Sequence, residues 1–466
     1  MMATLSKFAT RMNLLKNHGD TVLLTEGSPR RKMLSFAFPV FLSQLFQQLY
    51  NTADAWIVGH YLGDQAFAAV ASSGSLIFLF ISFFIGLSMG ASVVISKYFG
   101  AGDHKNVSRS VHTNVLMSLI CGLVLGAVGV VLTPTILQLM KTDPDVLPLS
   151  IQYFRFFFLG APALVMYNSL KGVMNAVGDS RRPLYYLMLS SALNIFLDWL
   201  FVGPCGLDIR WAAIATTISQ TASALLCLKQ LRKKGTVYRL SLKKLRMNGA
   251  ILKEILRLGI PSGVQNSVIG FANVLVQTNI NTFGDTAMAA CGAYSRIEGF
   301  AFLPITSFSM AITTFISQNL GAKQYDRTRQ GARFGIITSV LMAEIIGLTI
   351  FVFARPMIAA FVDEPESIAT GVVQCRTESL FFCLLAFSHC IAAVCRGAGK
   401  AFVPMFVMLS VWCVLRVTVI TVAMHISHNI VLLFWVYPLT WFISSVIYMI
   451  YYRCSDWIHG FDKKTI

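Results

Sequence analysis

Residues 229–253 read KQLRKKGTVYRLSLKKLRMNGAILK, the longest polar connection in the chain, and nine of its side chains are Lys or Arg. On either side the sequence is apolar: 55% of the 466 residues are hydrophobic, 13% are charged, and the mean hydropathy is +0.65. That composition excludes a disordered tail, a collagen-like rod, a secreted disulfide scaffold and an ordinary soluble domain. Runs able to cross ~30 Å of hydrocarbon at ~1.5 Å per residue occupy 33–58, 68–96, 111–133, 150–173, 183–203 and 209–231 before the polar stretch. They recur at 254–281, 288–316, 334–354, 369–394, 404–424 and 430–452 after it. The expected fold is an all-α membrane protein with twelve transmembrane helices, six in each half.

The net charge of +17 does not point to nucleic acid, because no soluble segment is long enough to carry a basic binding face. Topology explains it better. Thirty of the 38 basic residues fall in the amino-terminal tail, after even-numbered spans, or in the carboxyl-terminal tail, all on one face of the membrane. Positively charged loops stay cytoplasmic, so both termini are expected inside a cell (plasma or inner) membrane. The expected divisions are a tail over 1–32, an N-lobe over 33–231, a linker over 232–253, a C-lobe over 254–452 and a tail over 453–466. Residues 229–253 read as anchor and spacer, with a charge that also suits anionic lipid. The first thirty residues lack the apolar core of a cleaved signal peptide.

The halves repeat. An offset of 221 pairs Gly63-Asp64 with Gly284-Asp285, Ser88-Met89 with Ser309-Met310, Gly100-Ala101 with Gly321-Ala322, Gly178 with Gly399 and Pro183 with Pro404. Pro39 meets Pro261 at 222. A constant offset across separated blocks marks a duplicated unit. Six spans per copy bring the second copy in from the same side, which predicts two lobes related by an axis along the membrane normal, with a cleft between them.

Of 21 acidic residues, Asp54, Asp198, Glu298, Glu344 and Glu378 fall inside spans. Each costs a few kcal/mol in lipid unless it faces a cavity or a partner. Asp54 and Asp198 lie at one depth, ~8 Å below the outer end of their spans, and Asn194 is one turn from Asp198 on the same helical face. Thr216 enters the same level, with Thr217 as its competitor. Two carboxylates, a carboxamide and a hydroxyl can together hold Na⁺ or share a proton, since adjacent carboxylates in low dielectric do not both stay charged without a cation. In the C-lobe, Glu298 and Arg416 lie near the midplane and suggest an ion pair. With Gln47 and Tyr50 of the first span they are candidates for a substrate cleft. Glu344 and Glu378 read as structural. His389 has no ligand-spaced partner, and the ten cysteines contain no C-x-x-C pair, so thiols packing as small apolar groups are expected rather than a metal. Pro39, Pro162, Pro261, Pro304 and Pro438 mark possible bends.

The stretches FPVFLSQLFQQLYNTADAWIVGHYLG (38–63), SKYFGAGD (96–103), GDSRRPLYYLMLSSALNIFLDWLF (178–201), SQNLGAKQYD (317–326) and CRGAGK (395–400) resemble the multidrug and toxic compound extrusion (MATE) family over nearly all of 33–452. The resemblance implies a V-shaped pair of six-helix lobes that alternates between outward- and inward-open forms. It implies a cation site at Asp54, Asn194 and Asp198 with Thr216 beside it. Branches with an acidic residue in the seventh helix have no counterpart here, so no coupling site of that kind is expected in the second lobe. The function implied is exchange of organic, mostly cationic lipophilic molecules for Na⁺ or H⁺, by a monomer that is not an enzyme, needs no cofactor and has membrane lipid as its surroundings. A lipid-linked precursor flippase is the alternative; it would need more intramembrane Arg than Arg296 and Arg416.

Overall fold

The computed structural model describes residues 23–139, 144–427 and 429–462, without the side chains of 64, 68 and 71–79. Residues 1–22 of the expected amino-terminal tail, and Lys463 and Lys464 of the other tail, lie outside the described residues. The first half comprises α1 (Pro29–Leu62), α2 (Asp64–Gly100), α3 (His104–Leu139), α4 (Leu147–Leu159), α5 (Ala161–Ala176), α6 (Arg181–Val202) and α7 (Ile209–Leu231). After a single 3₁₀ turn at Leu242–Lys244, the second half comprises α8 (Gly249–Asn281), α9 (Asp285–Gly321), α10 (Tyr325–Val352), α11 (Ala354–Ala359), α12 (Pro365–Ser379) and α13 (Phe382–Gly397). It closes with α14 (Phe402–Val407), a π-helical segment Met408–Leu415, α15 (Arg416–Ile426) and α16 (Ile430–Cys454).

Eight helices among the described residues are long and apolar enough to span a membrane, and the bent pairs α4–α5 (49°) and α12–α13 (51°) bring the number to ten. The remaining two spans are α1 and α8, with 34 and 33 residues. Both are long enough to cross, but they carry Gln and Asn along one side, including Gln47, Asn51, Asn273 and Gln277, and these residues line cavities rather than lipid. All twelve spans expected from sequence are therefore accounted for.

The duplication holds at the level of single hydrogen bonds. In the N-lobe, Ser92 and Ser96 donate their hydroxyls to the carbonyls of Gly172 and Ala176. At the same positions of the C-lobe, Thr313 and Ser317 donate to Ala393 and Gly397. Gly63 and Gly284 start α2 and α9 at φ +86° and +87°. The turn after α2 has Gly102 at φ +69°, and its copy is Lys323, which holds φ +58°; a side chain there gives up roughly 1 kcal/mol relative to glycine. Both fourth spans break at the same point, near Gly160 and Phe381. The second break frees the Cys383 N–H, which donates to the Glu344 carboxylate at 3.2 Å, so Glu344 is structural.

The lobes meet where α2 and α9 end. A Cβ on Gly100 would lie 1.9 Å from the Gln318 carbonyl oxygen, and one on Gly321 would lie 2.1 Å from that of Lys97. Gly100 and Gly321 are copies, as are Lys97 and Gln318, so the contact is reciprocal and sits on the pseudo-twofold axis. Around it, Lys97 pairs with Glu254 at 2.6 Å. Gln318 donates to the Ala176 carbonyl at 2.7 Å and accepts from the Leu24 N–H at 3.0 Å. The linker is seated rather than solvated: Tyr238 and Leu240 are buried in the N-lobe core, and the Ser241 and Asn248 N–H groups donate to His112 and Thr113.

Candidate functional site

Each lobe holds a cavity lined by the residues singled out in the sequence. In the N-lobe, α1 places Gln47, Tyr50, Asn51 and Asp54 on one face, as residues three and four apart on a helix must be. These side chains border a space of ≈ 400 Å³ that Tyr153, Thr216 and Gln220 help to close. Asp198 and Asn194, one turn apart on α6, lie behind Asp54; the three are 0%, 1% and 8% exposed in that order. The Asp54 and Asp198 carboxyl groups are within interaction range of each other, and Asn194 is within range of Asp198. Yet among the described residues Asp54 Oδ1, both Asp198 oxygens and both Asn194 amide atoms have no hydrogen-bond partner. Buried polar atoms are nearly always satisfied, and an unpaired buried carboxylate costs several kcal/mol. Chemically the cluster suits a small monovalent cation or a shared proton. Thr216 spends its proton on the Ala212 carbonyl, leaving its oxygen lone pairs available.

The C-lobe cavity, of ≈ 340 Å³, has aromatic walls that include Phe302, Trp412, Tyr437 and Trp441. Arg416 lies at its side, 2% exposed. Its guanidinium carbon is 5.0 Å from the Trp412 ring centroid and 4.5 Å from that of Tyr437, a cation–π contact with each ring. One amino group donates to Thr440 Oγ1 at 2.9 Å, while Nε has no hydrogen-bond partner among the described residues. Glu378 is held by Tyr294 Oη at 3.0 Å and Gln374 Nε2 at 2.9 Å. Glu298 borders the cavity without a hydrogen-bond partner among the described residues.

The residues singled out in the sequence are thus brought together in two groups rather than one. Asp54 and Asn194 both lie beside Asp198, and Thr216, Gln47 and Tyr50 line the same N-lobe cavity as Asp54 rather than standing beside Glu298 and Arg416. Thr217 is the wrong hydroxyl: it faces the α4–α5 break, where a Cβ on Gly160 would lie 2.1 Å from its Oγ1. The expected Glu298–Arg416 ion pair is not formed among the described residues, because Trp412, Tyr437 and Thr440 already hold the guanidinium. Sequence reading passed over Gln220, one turn from Thr216, whose amide donates to Tyr50 Oη at 3.4 Å. It also passed over Tyr294, Gln374 and Trp412, which carry no charge to flag them.

Comparison with known proteins agrees with this architecture. The chain is 29% identical to the probable multidrug resistance protein YoeA of Bacillus subtilis, over 91% of this chain and 93% of that protein. It is 28% identical to the probable multidrug resistance protein NorM of Thermotoga maritima, over 86% and 87%. A solved structure of a multidrug resistance MATE family transporter of the MOP superfamily, in an outward-facing conformation, superposes with a TM-score of 0.86 at 23% identity, covering 94% of this chain and 97% of that one. A MOP superfamily transporter from Pyrococcus furiosus superposes with a TM-score of 0.88 at 22% identity, covering 95% and 98%. The profile of the MatE family matches twice, at residues 39–200 and 261–422. Those blocks fall one in each lobe, and on them the chain belongs to the MatE family.

Proposed function

We propose that the protein is a secondary antiporter that exports lipophilic organic cations in exchange for Na⁺ or H⁺. The observation that carries this reading is the cluster of unpartnered polar atoms on Asp54, Asn194 and Asp198, joining α1 to α6 inside the N-lobe. An ion entering from outside offsets the repulsion between the two carboxyl groups and draws α1 toward α6. The cargo then leaves from the aromatic C-lobe cavity, where Glu298 supplies the countercharge, and release of the ion on the basic, cytoplasmic face resets the pair. Coupling requires only that the ion bind the two lobe arrangements with different affinity. Support for multidrug cargo comes from relatives named as multidrug resistance and export proteins.

The test is efflux of a fluorescent organic cation from reconstituted vesicles, under an imposed Na⁺ gradient and separately under a pH gradient. Asp54→Asn and Asp198→Asn are each expected to lower gradient-driven efflux by at least about tenfold, the effect of a coupling free energy of roughly 1.4 kcal/mol. Undiminished efflux in both variants under both gradients would remove the N-lobe pair from the mechanism.

A further inference from the structure

The two cavities are copies of one cavity. Gln47 and Ile269, Asn51 and Asn273, Asp54 and Val276 correspond at an offset of 222; Tyr153 and Gln374, Thr216 and Tyr437, Gln220 and Trp441 correspond at 221. The last two pairs are fixed by the matching caps that start α7 and α16, where Asp208 and Asn429 each accept the N–H two residues on. Along α6 and its copy the register changes. Pro183 matches Pro404 at 221, but the π-helical segment Met408–Leu415 takes in one extra residue, as π turns do. Beyond it the offset is 222, which is also the offset at both ends of the two family matches (39 to 261, 200 to 422). Asn194 therefore corresponds to Arg416, and Asp198 to Ile420.

The three N-lobe positions that gather around an ion are thus Val276, Arg416 and Ile420 in the C-lobe. Both carboxylates of the site are gone, and a guanidinium stands where the carboxamide would be. Charge is supplied instead from other helices, by Glu298 on α9 and Glu378 on α12. Glu378 is fully engaged by Tyr294 and Gln374, whereas Glu298 borders open space. The cation fixed to the chain is held by Trp412, Tyr437 and Thr440 and forms no ion pair with either acid among the described residues, so Glu298 is the acidic group left facing the cavity without a partner.

We propose that Arg416 is a tethered cation that takes the place of the exchangeable ion in the C-lobe copy of the site. Its presence leaves Glu298 as a single unmatched countercharge and sets the aromatic cavity to receive a singly charged lipophilic cation. The inference rests on the N-lobe pair being the exchanging site. It adds that the C-lobe cavity binds cargo without binding Na⁺ or trading a proton. Arg416 acts as a specificity residue through charge, and Lys, which keeps the charge, should replace it in part.

The test uses purified full-length protein carrying Asp54→Asn and Asp198→Asn, so that any remaining ion effect reports the C-lobe. Binding of tetraphenylphosphonium, a singly charged lipophilic cation, is read through Trp412 fluorescence, with Trp412→Phe to assign the signal, in Na⁺ and in choline at equal ionic strength. With Arg416 in place, affinity should be the same in both salts, and Glu298→Gln should weaken it by about tenfold. Adding Arg416→Asn should make Na⁺ compete, shifting the apparent Kd by about tenfold between the salts, and should favour a doubly charged ligand over tetraphenylphosphonium. Arg416→Lys should stay insensitive to Na⁺. Na⁺-sensitive binding with Arg416 intact would overturn the proposal, and that arm needs no Arg416 variant to fold. So would Na⁺-insensitive binding by an Arg416→Asn protein that still takes up tetraphenylphosphonium. Failure of the N-lobe reading is distinguishable, since it would appear as gradient-driven efflux surviving in the Asp54→Asn and Asp198→Asn vesicles.

Discussion

The seam between α2 and α8 and the seam between α9 and α1 are two copies of one contact, and they are packed differently. In the first, backbone lies on backbone: a Cβ added to Gly86 would be 2.3 Å from the Gly263 nitrogen, and one added to Gly90 would be 2.3 Å from the Gly259 nitrogen. Close approach of this kind is what small residues permit between membrane helices. The copies of Gly86 and Gly90 are Ser307 and Ala311, and those of Gly259 and Gly263 are Ala37 and Phe41. With larger residues in the way, the second seam stands open around an apolar cavity of ≈ 190 Å³ lined by Leu34, Phe38, Phe41, Pro304 and Phe308 among others. One seam is suited to staying closed, and the other leaves room for a helix to move.

That helix is α1. Its first half, with Met33, Phe36, Ala37 and Val40, is buried in the core of the C-lobe, while its second half carries Asp54 into the N-lobe cavity. Pro39 sits inside the helix, within its first half and ahead of the Asp54 segment. On the proposed function, a cation bound at Asp54 would pull on a helix anchored in the opposite lobe, beside the looser seam. That would give it a route to the relative position of the lobes, through packing that the other seam lacks.

The sharpest way to break the comparison is to make one substitution at both copies. Gly86→Val places side-chain atoms inside the α8 backbone, and the loss of stability should exceed about 4 kcal/mol, the range reserved for severe overpacking. No monodisperse protein is expected on size-exclusion chromatography. If Gly86→Val were as stable as the parent, the closed seam would not be a constraint on the fold. The next effect is kinetic. Pro39 denies an N–H to the Ser35 carbonyl, as proline does within a helix, and Pro39→Ala should straighten and stiffen α1. Efflux is expected to slow about fivefold, the change that roughly 1 kcal/mol of added barrier produces, with cargo affinity unaltered. Pro261→Ala, the copy in the glycine-packed seam, should slow it less; equal slowing by the two would mean that the seams do not differ in freedom. A smaller effect concerns the Lys97–Glu254 pair that ties α2 to α8 beside the axis. Both side chains are about a quarter exposed (24% and 25%), so Glu254→Gln should cost no more than about 1 kcal/mol. The difference in thermal stability should shrink in high salt.

Much of this architecture is visible in the sequence because lipid is a demanding solvent. Twelve apolar runs, a basic face and five intramembrane acids each stand out against a background that tolerates few exceptions, and depth and helical spacing alone place Asp54 and Asp198 at one level, with Asn194 one turn from Asp198. The C-lobe was harder. The π turn before Arg416 inserts its residue without any mark in composition, so the correspondence of Arg416 with Asn194 is one position away from the offset that the rest of the helix suggests. Glu298 and Arg416 were read as a pair because opposite charges at one depth invite it, whereas the guanidinium is claimed by Trp412, Tyr437 and Thr440, neutral residues on neighbouring turns and helices. The glycine seam does leave a pattern, since Gly86-Gly90 and Gly259-Gly263 are each four residues apart, but the spacing does not say which helix approaches, and the four glycines matter through what reaches them from another part of the chain.

The companion substitution, Ser307→Val, should have the smallest effect and the opposite sign. Ser307 is 1% exposed and donates its hydroxyl to the Leu303 carbonyl at 2.6 Å, a bond within its own helix that contributes little and tends to bend it. Valine exchanges that hydroxyl for two methyl groups directed at the wall of Leu34, Phe38 and Phe41, where the ≈ 190 Å³ cavity has room for them. Filling an apolar void of this kind typically stabilises by about 0.5–2 kcal/mol, so thermal unfolding in detergent should move up by a few degrees, while Gly86→Val gives no folded protein to measure. The gain should carry a cost in rate, because the added methyls occupy space that α1 needs when it moves, and efflux should fall slightly rather than rise with stability. A destabilised Ser307→Val protein would show that the cavity is not available to side chains. A stabilised one with faster efflux would show that α1 does not move through it, and the functional part of the contrast between the two seams would have to be given up.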